Sequence, residues 1–363
     1  MKRRLLLVLT WLSCIGAFGS TDSIPQKRSF LKCMTQKAEA IFNAFNDVDT
    51  NYIEPQHYNF TIMAQGTMNY EAYRLKSKSG NSVLFSPENT FRIGPFVGWQ
   101  FIFYGYTFGL NHHRSKNKTE WDLSAYSSMI GIDLFYRKTG NDYKIRSLYL
   151  GEGIDTHSIR GKNFSGLNVG IKGFNIYYIT NHRRFSYPAA FGQSTCQKRS
   201  AGSALVGIGY SIHTLDFDYT AFQNTIDQHL PNQPKQVVDS GLMFNQVKYS
   251  DISLSGGYAY NYVFAKNWLL AASLSVALGY KRSTGDLQKK ETTERDFSFN
   301  NFNVDGIGRF GLVWNNTKWY AGASAIMHTY NYRKPQFSAS NFFGNLNLYF
   351  GMNFGKKKKY KRK

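Results

Sequence analysis

The segment FFGNLNLYFGMNF, residues 342–354, alternates between two kinds of side chain. One set of alternate positions is apolar apart from a glycine: Phe342, Gly344, Leu346, Leu348, Phe350, Met352 and Phe354. The other set carries mostly amide or hydroxyl groups: Phe343, Asn345, Asn347, Tyr349, Gly351 and Asn353. Because successive side chains of a β-strand point to opposite faces, the segment predicts a strand with one apolar and one polar side.

Similar alternation recurs along the chain from Tyr58 onward. It predicts strands within residues 91–99, 102–110, 130–137, 167–179, 206–212, 252–264, 268–280, 302–314 and 319–327. Short turns near Lys266 and Asn316 alternate with long polar linkers at 219–242 and 282–296, as in outer-membrane barrels. We therefore predict an all-β fold, an antiparallel transmembrane β-barrel of about twelve strands whose apolar sides face lipid. A last strand that closes in Phe before a polar tail also resembles the assembly signal of such barrels.

The strand assignment is ambiguous between residues 142 and 203. Either Tyr143–Leu150 is a strand and Asn181–Arg199 is an irregular inward or periplasmic segment, or the two exchange roles. Both choices preserve an even number of strands.

The two ends of the chain differ from the barrel, which is predicted over residues 57–354. Residues 1–19 have the basic start, short apolar run and small-residue exit of a secretory signal peptide. Residues 20–56 are predicted as a periplasmic segment with a short amphipathic helix, and residues 355–363 as a basic, solvated tail. Export permits a disulfide between Cys33 and Cys196, although two buried thiols explain them equally well.

The chain has a net charge of +21, which would suit nucleic acid, but export to the bacterial outer membrane argues against that partner. The partners predicted are outer-membrane lipid and, through the last strand, the barrel assembly machinery. Asp47, Asp49 and Asn51 have the spacing that begins a calcium loop, but tyrosines occupy the positions of its glycine and closing glutamate. No metal or other cofactor is predicted.

Three segments carry a resemblance to a known family: Asp49–Pro55, Phe185–Phe191 and Gln197–Ser203. They resemble a family of exported bacterial proteins catalogued as domain of unknown function 4421, over about residues 30 to 354. The resemblance implies an outer-membrane barrel of the Bacteroides type and brings no catalytic residues.

The predicted inward faces carry a small, mixed set of charges. The candidates for lining the lumen are Arg92, Asp133, Arg137, Lys172, His213, Asp251, Asp305 and Arg309. They permit two interpretations: a path for small solutes, with surface glycolipid or ligand binding as a variant, or a plugged structural barrel filled by paired charges. A lipid hydrolase using Ser324 and His328 is a third hypothesis. These two residues lie four apart on one strand, about 13 Å by strand rise and beyond hydrogen-bond reach, so no enzyme is predicted.

Overall fold

The computed structural model describes residues 48–99, 102–110, 118–140, 142–231, 240–285, 301–333 and 337–361. Eighteen strands lie in this part of the chain: β1 Ile53–Pro55, β2 Tyr58–Ser77, β3 Ser82–Pro87, β4 Thr90–Trp99, β5 Ile102–Gly105, β6 Phe108–Gly109, β7 Thr119–Tyr126, β8 Ile130–Lys138, β9 Tyr143–Tyr149, β10 Asn163–Phe164, β11 Leu167–Ile179, β12 Thr195–Gln197, β13 Ala201–Phe217, β14 Gln246–Ala265, β15 Trp268–Gly285, β16 Phe302–Asn315, β17 Trp319–Arg333 and β18 Phe337–Lys356. The helices are α1 Tyr187–Phe191 and α2 Tyr219–His229, with 3₁₀ turns at His157–Ile159, Ser240–Leu242 and Lys358–Tyr360. None of the described helices is long and apolar enough to cross a bilayer.

Sixteen of the strands form one antiparallel sheet, and β1 pairs separately with β12. The main path runs β10-β9-β3-β2-β18-β17-β16-β15-β14-β13-β11-β8-β7, and β4 pairs with β2, β5 and β6. The last long strand, β18, pairs with the first, β2, along almost its whole length. The first and the last long strands of the chain are therefore neighbours in the sheet.

The sheet curls until its strands meet across an interior. Arg309 on β16 forms an ion pair with Asp133 on β8, although four strands separate β16 from β8 along the sheet path. Arg137 on β8 lies 4.4 Å from the ring centroid of Phe343 on β18. Such contacts require a strongly curved, barrel-like sheet. We call the end that carries the β14–β15 and β16–β17 turns the turn end, and the opposite end, which carries α2, the loop end.

The outer side of the sheet is apolar, as the alternation predicts. Leu254, Leu274 and Leu348 are 62%, 61% and 52% exposed, whereas Asn261 and Ser273, on the opposite sides of their strands, are buried. These exposed leucines belong to strands β14, β15 and β18. The apolar sides of these strands thus do not pack against a second protein layer within the described chain.

The pattern changes side at the loop end. There the inward residues are apolar, and β11 illustrates the consequence: Leu167, Val169 and Ile171 are buried, while Lys172 is exposed. The prediction that Lys172 lines the lumen is therefore wrong. The interior of the sheet is apolar at this end, and Lys172 lies on the outer side. The loop-end core also includes Leu75 and Phe217.

Helix α2 closes this core from the loop between β13 and β14. Asp218 caps the helix by accepting a hydrogen bond from the Ala221 amide at 2.8 Å. Phe222 and Ile226, one turn apart, are buried against Phe164 and Phe217. The linker predicted as an external polar loop therefore contributes a packed helix.

The segment between β11 and β13, Asn181–Arg199, folds inward, and β9 is a strand, so the first of the two alternatives above holds. Helix α1 begins at the cap Ser186, whose hydroxyl accepts from the Ala189 amide. Its small residues Ala189 and Ala190 pack on β15 and β16. The approach depends on Gly311, because a Cβ there would lie 3.3 Å from the Ala190 carbonyl oxygen. We call Asn181–Arg199 the inserted segment.

The inserted segment is tied to the N-terminal strand β1. Gln197 forms the centre of the connection: its amide nitrogen donates to the carbonyl oxygens of Arg184 and Arg199, and its oxygen accepts from Asn261 on the wall. Arg184 and Arg199 also lie over the Tyr52 ring, at 5.2 and 5.8 Å. The three segments that carry the family resemblance thus meet at the turn end.

An ion cluster flanks this connection. Glu54 on β1 accepts from His57 at 2.7 Å and from Lys198 at 3.3 Å. Burial by itself raises the pKa of Glu54, but these hydrogen bonds outweigh it and the net pKa is lowered. Cys196 on β12 is partly buried and has no disulfide partner among the described residues, and burial raises the pKa of its thiol to about 12.

Two further sequence predictions remain: one differs from the structure, and the other concerns residues that the structure does not describe. Residues 102–110 were predicted as one strand, but β5 and β6 are interrupted at Tyr106–Thr107, where the chain approaches β4 so closely that a Cβ on Gly94 would lie 1.9 Å from the Tyr106 carbonyl oxygen. The signal peptide, the amphipathic helix and Cys33 lie outside the described residues.

Candidate functional site

Two of the predicted interior charges form a buried pair in the middle of the sheet. Arg309 is 2% exposed, pairs with Asp133, donates to the Tyr187 hydroxyl at 3.2 Å and lies 5.2 Å from the Tyr177 ring. Asp133 also accepts from Ser124 at 2.8 Å. Because Tyr187 belongs to the inserted segment, this pair anchors that segment to two walls of the sheet.

A second buried cluster surrounds Lys281, which sequence reasoning did not select. Its amine contacts Asp305 at 2.7 Å and Asp251 at 3.9 Å, and donates to the Asn331 carbonyl oxygen at 2.7 Å. It also lies 5.6 Å from the Tyr330 ring. Lys281 occupies the polar side of its alternating strand, but nothing in that pattern distinguishes it from the other polar positions.

The other predicted residues have separate environments. His213 is buried, shares a hydrogen bond with Ser211 at 2.9 Å and stacks on Tyr249 at 4.5 Å. Arg137 is buried against Phe343. Arg92 donates to the Thr107 carbonyl oxygen at 3.1 Å and lines a cavity. Of the eight candidates Arg92 lines this cavity, six others are buried among the described interior side chains, and Lys172 is exposed on the outer side.

The open space is a side cavity of about 380 Å³ between β2, β4, β7, β17, β18 and the end of the inserted segment. About half of the lining residues carry amide or aliphatic hydroxyl side chains: Gln65, Thr67, Asn69, Thr107, Ser124, Gln193, Ser194, Ser324, Asn345 and Asn347. Aromatic and aliphatic groups complete it, including Phe96, Phe191, Trp121 and Leu123.

The amides on β2 and β18 form a continuous ladder. Thr67 donates to Asn347 at 2.8 Å, Gln65 donates to the same oxygen at 3.2 Å, and Asn347 donates to Asn345 at 2.9 Å. Asn69 extends the row by donating to Glu120 on β7 at 2.9 Å. A surface of this kind can both donate to and accept from a hydroxyl or amide ligand.

The cavity reaches the outer surface around the edge of β7. Ser124 and Glu120 point inward from this strand, whereas Trp121 and Leu123 point outward and are 57% and 52% exposed. All four line the cavity. Because neighbouring side chains of a strand lie on opposite faces, one cavity can touch both sets only at the strand's edge. Within the described residues, β7 pairs with β8 alone.

Gln193, on the inner wall of the cavity, has an unusual backbone conformation. Its φ is 53°, in the left-handed region that non-glycine residues rarely adopt. In this position its side-chain amide donates to the Tyr349 hydroxyl at 2.7 Å. Backbone strain of this kind is often kept where a side chain must be positioned, so Gln193 is a candidate site residue.

The polar residues of the cavity, apart from Arg92, could not be singled out from the sequence, because nearly all of them are ordinary amides or hydroxyls on polar strand sides. Only the strand register brings them together: Asn347 faces Thr67, and Asn345 faces Asn69. Among the described residues no cluster of three or more His, Cys, Asp or Glu side chains could hold a metal ion. Ser324 lines the cavity, whereas the His328 ring stacks on Phe343 at 5.0 Å.

These observations define an all-β protein, built on one curled antiparallel sheet with an apolar outer surface and a polar cavity at a strand edge. The chain belongs to the family described as Domain of unknown function (DUF4421), whose sequence profile matches residues 47–354. This match confirms the resemblance carried by the three segments of the turn end.

Solved structures with a similar arrangement include outer-membrane proteins. The outer membrane protease OmpT from Escherichia coli is 8% identical, with a TM-score of 0.33 over 82% of this chain and 97% of its own. OmpT of Vibrio cholerae is 11% identical, with a TM-score of 0.24 over 80% and 98%, and the P. putida toluene transporter TodX is 8% identical, with a TM-score of 0.20 over 82% and 91%. Similarities this low carry no argument about function. No curated protein matches the chain.

Proposed function

We propose that this chain is a bacterial outer-membrane β-barrel, sealed along its axis, whose side cavity binds a small amphiphile with an uncharged, hydrogen-bonding head. We count about twelve strands around the turn end, the usual scale of such barrels. The members are β2, β4, the interrupted strand β5–β6, β7, β8, β11 and β13 to β18.

The exposed apolar surface supports membrane residence. On β14 it runs from Ile252 to Tyr262, whose Cα atoms lie ten steps and about 34 Å apart along the strand, or about 26 Å along the membrane normal at a tilt of about 40°. That height matches the apolar band of outer-membrane barrels, about 25 Å. Trp268, Phe264 and Trp319 are exposed at the turn end, where such barrels have interfacial aromatics.

The proposal of a sealed axis rests on the two blocks within the described interior. The loop-end core fills one end, and the inserted segment lies across the other, held by the pair between Arg309 and Asp133. Paired, buried charges give a solute no hydrated path, since each would have to lose its partner to face water. Planar-bilayer recording tests this: we expect almost no conductance from the intact chain.

The proposed binding rests on one observation, that the cavity touches both faces of β7. Its inner part offers the amide ladder and its outer part offers Trp121 and Leu123 to the apolar surroundings of the barrel. A molecule with a hydroxyl or amide head and an apolar tail matches both parts. The charged groups nearest the ladder, Arg92, Lys118, Glu71 and Glu120, balance in formal charge, so an uncharged head fits better than an ion.

We propose no catalytic step. Ser324 and His328 are about 13 Å apart along β17, so His328 does not activate Ser324 as a nucleophile. We also propose that β18 is the strand recognised by the barrel assembly machinery.

Photo-crosslinking in phospholipid vesicles tests the binding. The probe is a monoacylglycerol with a diazirine in its acyl chain, and excess unlabelled monoacylglycerol is the competitor. We expect competitor-sensitive labelling of β7, whereas labelling of the exposed belt around Leu274 should resist competition. Asn347→Leu, which breaks the ladder, should abolish the sensitive part. The matched change Asn316→Leu, in the β16–β17 turn, should not. Equal labelling of all variants would refute the proposal.

A further inference from the structure

The outer surface also carries a group of exposed cations immediately beyond the apolar belt. Strand register aligns Phe174, Tyr210, Ile252 and Tyr280 in one row across β11, β13, β14 and β15. The next outward row toward the loop end contains Lys172 and Arg282, and the one after it contains Lys138 and Lys248. The surface thus changes within two residues from aromatic and apolar to cationic.

The four cations are available to bind an anion. All four are exposed, and among the described residues none of them forms an ion pair. The side chains between them on the same rows include the hydroxyls of Thr214 and Ser250. Asp216 lies one row further toward the loop end on the same face, where it accepts a hydrogen bond from Gln246 at 2.7 Å. Four positive charges near this one acid repel one another unless an anion lies between them.

The spacing of the group follows from the register. Strands lie about 4.8 Å apart and residues rise about 3.4 Å each, so Lys248 and Arg282 are separated by about 8 Å at their Cα atoms. Lys138 and Lys172 are separated by the same distance, and about 14 Å divides the ends of each row. A patch of this size can contact more than one phosphate group at once, and hydroxyls between the cations can bind sugar.

We propose that Lys138, Lys172, Lys248 and Arg282 form a binding site for the phosphorylated sugar head of a membrane glycolipid. The inference rests on the membrane residence proposed above, because the aromatic row places the patch at the depth of lipid heads. The acyl chains of the glycolipid lie along the apolar belt formed by Ile252 and Leu254, and its phosphates meet the cations.

Binding is measured by native mass spectrometry of the full mature chain, with lipid A as the probe. Lys248→Gln should weaken binding about fivefold, and the double variant with Lys172→Gln about 25-fold, since each surface cation contributes about a factor of five. Lys266→Gln, an exposed cation in the turn at the opposite end, is the matched control and should bind as the parent does. Equal binding by the parent and the double variant would overturn the site.

Three further arms identify the ligand. Enzymatically dephosphorylated lipid A should bind about as weakly as the double variant does. Phosphatidylglycerol, an anion without the phosphorylated sugar, should bind less well than lipid A, and inorganic phosphate should not compete. Equal binding of phosphatidylglycerol, or competition by phosphate, would overturn the glycolipid assignment. Recovery of the chain in the soluble fraction of mixed vesicles would instead refute membrane residence.

Discussion

Replacing Asp133 by Leu should cost more stability than replacing its partner Arg309 by Met. Without Asp133, the Arg309 guanidinium keeps one hydroxyl partner, Tyr187, in a buried position. Without Arg309, the Asp133 carboxylate still accepts from Ser124 at 2.8 Å and from Tyr126 at 3.3 Å. Breaking a buried pair costs about 3–5 kcal/mol. We place Asp133→Leu near the upper figure and Arg309→Met about 1–2 kcal/mol lower, because hydroxyl donors partly satisfy the carboxylate.

The double variant distinguishes this reasoning from a simple loss of packing. With both charges removed no group is left unpaired, so the combined cost should be about 0–2 kcal/mol, well below the sum of the single changes. The assay is urea unfolding in lipid vesicles, followed by tryptophan fluorescence and by the mobility difference between folded and unfolded barrel on cold gels. Additive costs, or a larger cost for Arg309→Met, would refute the argument.

Three other predictions follow from the inserted segment and its tie to β1. Ala190→Leu overfills the contact between α1 and the wall, so it should lower the free energy of unfolding by about 1–3 kcal/mol and raise bilayer conductance, whereas Ala204→Leu on the exposed side of β13 should change neither. Because hydrogen bonds lower the folded-state pKa of Glu54, its contribution is present above the usual carboxyl pKa and is lost as the pH falls through the folded value; hydrogen exchange at β1 should speed up with acid in the parent, and this dependence should shrink in Glu54→Gln. The pKa of about 12 predicts slow maleimide reaction of Cys196 at neutral pH and fast reaction after unfolding in urea, in a variant lacking the other cysteines; equal rates would contradict its burial.

The alternation of side chains predicted the strands of the second half well, because a long run of outward positions there is apolar, as from Ile252 to Tyr262 on β14. It failed for β11, where Leu167, Val169 and Ile171 point inward. The loop end of the sheet is apolar inside, whereas the rest of the sheet has an apolar outer surface, so periodicity alone does not reveal which side of a strand faces inward. The switch could have been noticed in β14, where Lys248 shares a side with Leu254.

The site was less predictable than the fold for a related reason. Charged residues are the obvious candidates for a site in a sequence, yet most of the charged residues predicted to line the lumen are buried and pack the interior. The amide ladder of the cavity is built from uncharged side chains that any polar strand side contains. Its position depends on register between strands almost 300 residues apart and on the inward course of residues 181–199, neither of which is encoded in a local pattern.

The amide ladder straddles the contact between the first and the last long strands, since Thr67 and Gln65 belong to β2 and Asn347 to β18. That contact is completed only after the C-terminal strand has been synthesised and has paired with β2. The ladder proposed to bind the ligand therefore does not exist in a nascent chain that lacks β18. If the proposed amphiphile binds there, it would favour the paired state of β2 and β18 by mass action.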